Sequence, residues 1–145
     1  MGKALIVYAS RSGGTKRLAQ MLADEIKAQG KEVEVKPVAK IKSKDELKGY
    51  DAYLFGSATY HGSMIQAMKK MLFMAEGAGL GGKPGAAFGL YGWSGEAPKR
   101  IYDTMKNIFK MEMVGDPLRV KTGELGNPDV KKKIEEIAKE IAKRI

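Results

Sequence analysis

Short apolar runs alternate with longer segments whose apolar residues recur every three or four positions, from one end of the chain to the other. The short runs predict β-strands, and the helical spacing of the longer segments predicts helices with one buried face. The predicted strands are residues 4–9, 32–37, 51–57, 83–91 and 112–120, with Asp116-Pro117 as a candidate interruption of the last. The predicted helices are residues 15–29, 63–76, 96–111 and 127–145, and residues 40–49 are expected to hold at most one helical turn.

The strand runs at 4–9, 51–57 and 83–91 are almost entirely apolar, which is typical of parallel strands covered on both faces. Because right-handed crossovers place helices against such a sheet, the alternation predicts an α/β fold with a doubly wound, five-stranded parallel sheet and helices on both faces. Ligands of such folds bind beyond the carboxyl ends of the strands. The loops after Ala9, Ser57 and Tyr91 are therefore the candidate binding loops.

Composition narrows the class of protein. The length of 145 residues predicts a single domain over 1–145, and 43% hydrophobic with 30% charged residues excludes an intrinsically disordered chain. The absence of cysteine excludes disulfides and thiolate-bound metals, and a single histidine argues against a histidine-built metal site. No apolar run approaches the roughly 20 residues of a membrane helix, and no signal-peptide pattern is present, so we expect a cytoplasmic protein without membrane contact.

The 26 basic and 17 acidic residues give a net charge of +9. Such a charge favours an acidic protein partner or nucleic acid. Basic and acidic residues are interleaved in stretches such as KKKIEEIAKEIAKR, which is typical of a solvated helix surface. Without a nucleic-acid-binding motif, nucleic acid is the weaker interpretation. Lysine and glutamate richness without cysteine is also typical of thermophilic proteins.

The first candidate loop joins a buried strand to the start of a helix. Two glycines let the backbone turn tightly and point its N–H groups inward, while hydroxyls and the helix dipole favour an anion. The loop matches neither G-x-x-x-x-G-K-S/T nor G-x-G-x-x-G, which argues against nucleoside triphosphates and dinucleotides. A simple turn with an N-cap is the alternative. The candidate phosphate-binding residues are Ser10, Arg11, Ser12, Gly13, Gly14 and Thr15.

The second and third loops each contain an aromatic residue next to glycine. Tyr60 and Trp93, the only tryptophan, are positioned to stack on a planar ring. His61 has no neighbouring carboxylate to orient it, so we expect a loop residue near the site rather than a proton-transfer group. One phosphate loop with two aromatic loops predicts a flavin mononucleotide (FMN) site. The candidate ring-binding residues are Ala58, Thr59, Tyr60, His61 and Gly62, together with Tyr91, Gly92, Trp93, Ser94 and Gly95.

These three motifs resemble a known family. S-R-S-G-G-T (10–15) is similar to the flavodoxin phosphate motif S/T-x-T-G-x-T, with Arg11 in place of a neutral residue. G-S-A-T-Y-H-G (56–62) and Y-G-W-S-G-E-A (91–97) resemble the flavodoxin domain of A-type flavoproteins, the flavodiiron proteins. The resemblance implies a flavodoxin-like fold with strand order 2-1-3-4-5 and noncovalently bound FMN. It does not extend to the diiron chemistry, since the chain has one histidine.

The resemblance also implies a function. We expect an electron carrier that shuttles electrons between redox partner proteins, with the flavin rather than catalytic side chains performing the redox step. Candidate partners are acidic proteins of the ferredoxin or rubredoxin type, or a separate diiron subunit. The alternative is an FMN oxidoreductase on the same fold that reacts with NAD(P)H or quinones. A receiver-type signalling domain would need acidic residues where this chain has Ser10 and Ser57.

Overall fold

The computed structural model describes residues 2–11, 13–60, 62–92 and 95–145, with the backbone alone at Tyr60. The strands are β1 (Lys3–Ala9), β2 (Glu32–Pro37), β3 (Ala52–Ser57), β4 (Thr59–Tyr60), β5 (Ser63–Met64), β6 (Pro84–Tyr91), β7 (Glu112–Met113) and β8 (Leu118–Lys121). The helices are α1 (Gly14–Ala28), α2 (Gln66–Glu76), α3 (Glu96–Asp103) and α4 (Pro128–Arg144). None of these helices combines the length and the apolar character that crossing a bilayer requires.

The main sheet is parallel and runs in the order β2-β1-β3-β6, with both β7 and β8 paired to β6. β7 pairs with the first residues of β6, and β8 pairs with its last four. The predicted fifth strand is thus two strands, and the sheet has six strands rather than five. The chain leaves the sheet where Gly115 has a φ of 64° and Pro117 offers no N–H to a neighbour. Counted as one strand, β7 and β8 complete the predicted order 2-1-3-4-5.

Each face of the sheet carries its own core. Alternate residues of β1 point to opposite sides: Ile6 packs with the apolar residues of α1 and α4, whereas Val7 packs with those of α2 and α3. Both residues are fully buried, as the unbroken apolar pattern of the strand predicts. The predicted doubly wound architecture, with helices on both faces of a parallel sheet, is confirmed.

Two predicted helices differ from those in the structure. α2 begins at Gln66 instead of residue 63, because Ser63 and Met64 form an antiparallel pair with β4. The helix predicted over 96–111 is α-helical only to Asp103 and continues as a π-helix over Thr104–Ile108. The helical spacing of Ile101, Met105 and Ile108 predicts that all three are buried, which is wrong for Ile108. The wider turn of the π-helix shifts the buried face by one residue, so that Phe109 is buried and Ile108 is 56% exposed.

Candidate functional site

The three candidate loops lie together at the carboxyl edge of the sheet, after β1, β3 and β6. Two hydrogen bonds join them directly. The N–H of Ala58 donates to the carbonyl of Ala9 (3.2 Å), which links the second loop to the end of β1. The N–H of Ala97, in the first turn of α3, donates to Thr59 Oγ1 (3.1 Å), which links the second loop to the third. The loops therefore form one structural unit.

The first loop combines a tight turn with a buried hydroxyl at the start of α1. The N–H of Gly13 donates to Ser10 Oγ (3.0 Å), and Gly13 has a φ of 87°, a conformation that glycine adopts without strain. Thr15 is only 1% exposed, and its Oγ1 has no hydrogen-bond partner among the described residues. Since buried hydroxyls are almost always paired, this oxygen and the first-turn amides of α1 are suited to an anionic ligand.

The second loop is closed by Ser57, a fully buried polar residue at the end of β3. The N–H of Ile65 donates to Ser57 Oγ (2.9 Å), and this hydroxyl donates to the carbonyl of Ala58 (2.9 Å). The two bonds bring together the start and end of the segment that contains the β4–β5 hairpin. Sequence reasoning did not identify Ser57 as the residue that closes this loop. Its polar hydroxyl at the end of an otherwise apolar strand run was the available signal.

The third loop is anchored at its first residue, Tyr91, by two hydrogen bonds from Thr122. The carbonyl of Tyr91 accepts from the N–H of Thr122 (2.7 Å) and from Thr122 Oγ1 (3.0 Å). A side chain at Gly95 would lie 3.0 Å from the Arg119 side chain and 3.3 Å from the Tyr91 ring, so the loop returns close to its own start. Thr122 was not among the predicted residues because its contact spans 31 positions of the sequence.

β3 and β6 approach each other closely beneath the loops. A Cβ on Gly89 would lie 2.0 Å from the carbonyl oxygen of Ser57, a separation that no side chain could occupy. Glycine at this position thus allows the backbone of β6 to approach the residue that closes the second loop.

Most of the predicted site residues fall within the described part of the chain. The structure brings together Ser10, Arg11, Gly13, Gly14, Thr15, Ala58, Thr59, Gly62, Tyr91, Gly92, Gly95 and the backbone of Tyr60. Ser12, His61, Trp93, Ser94 and the Tyr60 side chain lie outside the described residues, so their predicted contacts stay predictions. Arg11 and Glu96 are the charged residues of the three loops.

A cavity of about 780 Å³ lies beside the third loop, between Tyr91, the chain connecting β7 to β8, and α4. Its lining mixes basic residues, such as Arg119, with acidic ones, such as Glu136, and it does not include the first or second loop. Among the described residues, no group of three or more histidine, cysteine, aspartate or glutamate side chains could hold a metal ion.

Comparison with known proteins identifies the family. The family model described as "Flavodoxin domain" matches residues 5–143. The chain is 34% identical over 127 residues to the type A flavoprotein fprA of Rhodobacter capsulatus, covering 81% of this chain and 28% of that protein. It is 27% identical over 122 residues to the rubredoxin-oxygen oxidoreductase of Megalodesulfovibrio gigas, covering 82% of this chain and 30% of that protein. The chain thus spans less than a third of the length of these two relatives.

Among solved structures, a flavodoxin from the domain Archaea superposes with a TM-score of 0.88 at 33% sequence identity, covering 97% of this chain and 96% of that one. The family match runs from residue 5 to residue 143 and so includes the sequence of all three loops, and the structural likeness covers 97% of the chain. The chain belongs to the flavodoxin domain family.

Proposed function

We propose that this chain binds FMN at the three loops and transfers electrons between redox partner proteins. The observation that carries the proposal is the buried Thr15 hydroxyl, unpartnered within the described residues, at the start of α1, where the family motif holds a phosphate. When bound, FMN supplies the redox chemistry, and the protein supplies binding, orientation and electrostatics. Membership of the flavodoxin domain family supports the same conclusion.

At the phosphate end, Thr15 Oγ1 and the first-turn amides of α1 bind the anion. Ser10 contributes differently, because its Oγ accepts the N–H of Gly13 and stabilises the turn that points the following amides inward. Arg11 adds positive charge on the exposed side of the loop. Together these groups satisfy a phosphate through charge-assisted hydrogen bonds.

At the ring end, the second and third loops bind the flavin from its two sides. The Thr59–Ala97 hydrogen bond fixes the spacing between the loops. Gly62 has a φ of 72° and open space around it, so its peptide is free to present a polar group to the ring edge. We propose that Tyr60 and Trp93 stack on the ring and exclude water from it.

The partners that fit this chain are other redox proteins. Its net charge of +9 favours an acidic carrier of the ferredoxin or rubredoxin type. The relative whose name includes rubredoxin supports this class, and a separate diiron subunit is a further candidate.

The test is an absorption spectrum of the purified protein, recorded after adding FMN and removing the excess by gel filtration. Retained flavin bands with quenched fluorescence support the proposal, and a colourless protein refutes it. Steady-state NAD(P)H oxidation with a quinone acceptor then separates the carrier from the oxidoreductase alternative, since a carrier gives almost no turnover.

A further inference from the structure

Two large apolar side chains are exposed on the face of the molecule formed by α2 and α3. Phe73 of α2 is 80% exposed, and Ile108, at the end of the π-helix, is 56% exposed. Both line a shallow, largely apolar cavity of about 190 Å³ together with Leu72 and Phe109. We call this surface the Phe73 patch. Exposed apolar residues that cluster around a cavity are typical of a protein-binding surface.

The backbone beneath the Phe73 patch is irregular. The π-helix over Thr104–Ile108 is closed by the N–H of Phe109, which donates to the carbonyl of Thr104 (3.1 Å). Two residues beyond Ile108, Lys110 has a φ of 60°, the one positive φ at a non-glycine residue in the described part of the chain. π-Helices and left-handed non-glycine residues are both uncommon and concentrate at functional sites.

The charge around the Phe73 patch is mainly positive. The charged side chains that line the cavity, or lie within three residues of Phe73 or Ile108, are Lys69, Lys70, Lys106, Lys110 and Glu76. None of these four lysines forms an ion pair with another residue that the structure describes. Because like charges in apposition are unfavourable, this rim opposes a second copy of the chain and favours an acidic partner.

One residue of the β4–β5 hairpin borders the Phe73 patch. Met64, which lines the cavity, belongs to β5 and pairs with Thr59 of β4. Thr59 in turn accepts the N–H of Ala97 between the second and third loops. The hairpin that carries the second loop therefore borders the cavity from beneath, with Met64 only 8% exposed.

We propose that the Phe73 patch is the docking surface for an acidic redox protein, with Phe73 and Ile108 as apolar anchors and the surrounding lysines steering the encounter. This assignment rests on the proposed function, because it gives the FMN-loaded protein a redox partner. The acidic iron protein rubredoxin is the probe. Two ferric rubredoxins become ferrous for each two-electron-reduced flavin, and the protons of the reduced flavin pass to water.

The experiment measures the second-order rate constant for reduction of ferric rubredoxin by the FMN-loaded, fully reduced protein in stopped flow. The double variant Lys69→Glu/Lys70→Glu is expected to lower it about tenfold at low salt, with the difference shrinking as ionic strength rises. Phe73→Ser is expected to lower it about tenfold at all salt concentrations, and Phe73→Leu to restore it. The matched control Lys131→Glu/Lys132→Glu changes the net charge equally on α4, on the opposite side of the sheet, and is expected to have less than about a threefold effect.

FMN retention and reoxidation of the reduced protein by dioxygen are measured on every variant, because they report on the flavin site and not on docking. A normal flavin site with unchanged rubredoxin rates in the Phe73 and lysine variants overturns the docking assignment alone. Equal losses in the control pair, or no reduction of rubredoxin by the native protein, also overturn it. Loss of FMN by the native protein instead refutes the proposed function. A native dimer that Phe73→Ser dissociates would assign the patch to self-association.

Discussion

Replacing Thr15 with valine removes one hydroxyl while keeping the size and branching of the side chain. In the FMN-free protein this hydroxyl is buried without a partner among the described residues, and such a group costs on the order of 1–3 kcal/mol. Thr15→Val is therefore expected to raise the free energy of unfolding of the FMN-free protein by about 1 kcal/mol. The same change should weaken FMN binding, because a hydrogen bond to a charged phosphate is worth about 1.5–3 kcal/mol, or roughly ten- to a hundredfold in Kd.

Two measurements check this pair of opposite effects. Urea unfolding of the FMN-free protein gives the stability change, and titration of FMN fluorescence quenching gives the Kd. Thr15→Ser is the control, since it keeps the hydroxyl and should hold FMN affinity within about threefold of the native value. If Thr15→Val destabilises the FMN-free protein, the hydroxyl has a structural partner. If it leaves the Kd unchanged, the first loop does not bind the phosphate in the way we propose.

Two further predictions concern the scaffold. In Gly89→Ala, the added Cβ would lie 2.0 Å from the Ser57 carbonyl oxygen, so the backbone beneath the second loop must shift. The variant should lose about 1–3 kcal/mol of stability and should no longer retain FMN at micromolar flavin. Normal FMN retention on gel filtration would contradict this prediction. On β2, an edge strand of the sheet, hydrogen bonds from Tyr50 and Lys3 lower the pKa of Glu34 to about 2. Because this folded-state pKa lies below the unfolded one, the stabilisation is complete above about pH 5 and is lost as the pH falls toward 2. Glu34→Gln should cost about 1 kcal/mol at pH 7, a value reduced for solvent screening. The cost should be only a small part of that at pH 2, where about half of the carboxyl groups are protonated in the folded protein. Urea unfolding at the two pH values measures both costs, and an equal cost at both would contradict the prediction.

The architecture was predictable because burial imposes a repeating pattern on the sequence. β2 and the helical stripe of α4 follow directly from alternation and from helical spacing, which are local properties. The hairpin of β4 and β5 was not predictable, since Ser63 and Met64 carry no strand pattern. Their conformation depends on pairing with β4 and on the hydroxyl of Ser57, which accepts the N–H of Ile65 eight residues away.

The location of the site was predictable for a similar reason. Parallel strands place their carboxyl ends at one edge, so three loops rich in glycine and hydroxyl residues were expected to meet there. The links between the loops were not predictable, because a bond such as that between Ala97 and Thr59 joins residues 38 positions apart. The lack of a hydrogen-bond partner for the Thr15 hydroxyl among the described residues was likewise not predictable, since it depends on how closely α1 packs onto the sheet.

The same hairpin connects the cofactor site to the proposed docking surface. On one side, Thr59 fixes the distance between the second and third loops through Ala97. On the other, Met64 lines the cavity at the Phe73 patch. Met64 is only 8% exposed and belongs to a segment whose start and end are both hydrogen-bonded to Ser57. We therefore expect a partner docked on the proposed surface to leave the hydrogen bonds that hold the second loop intact.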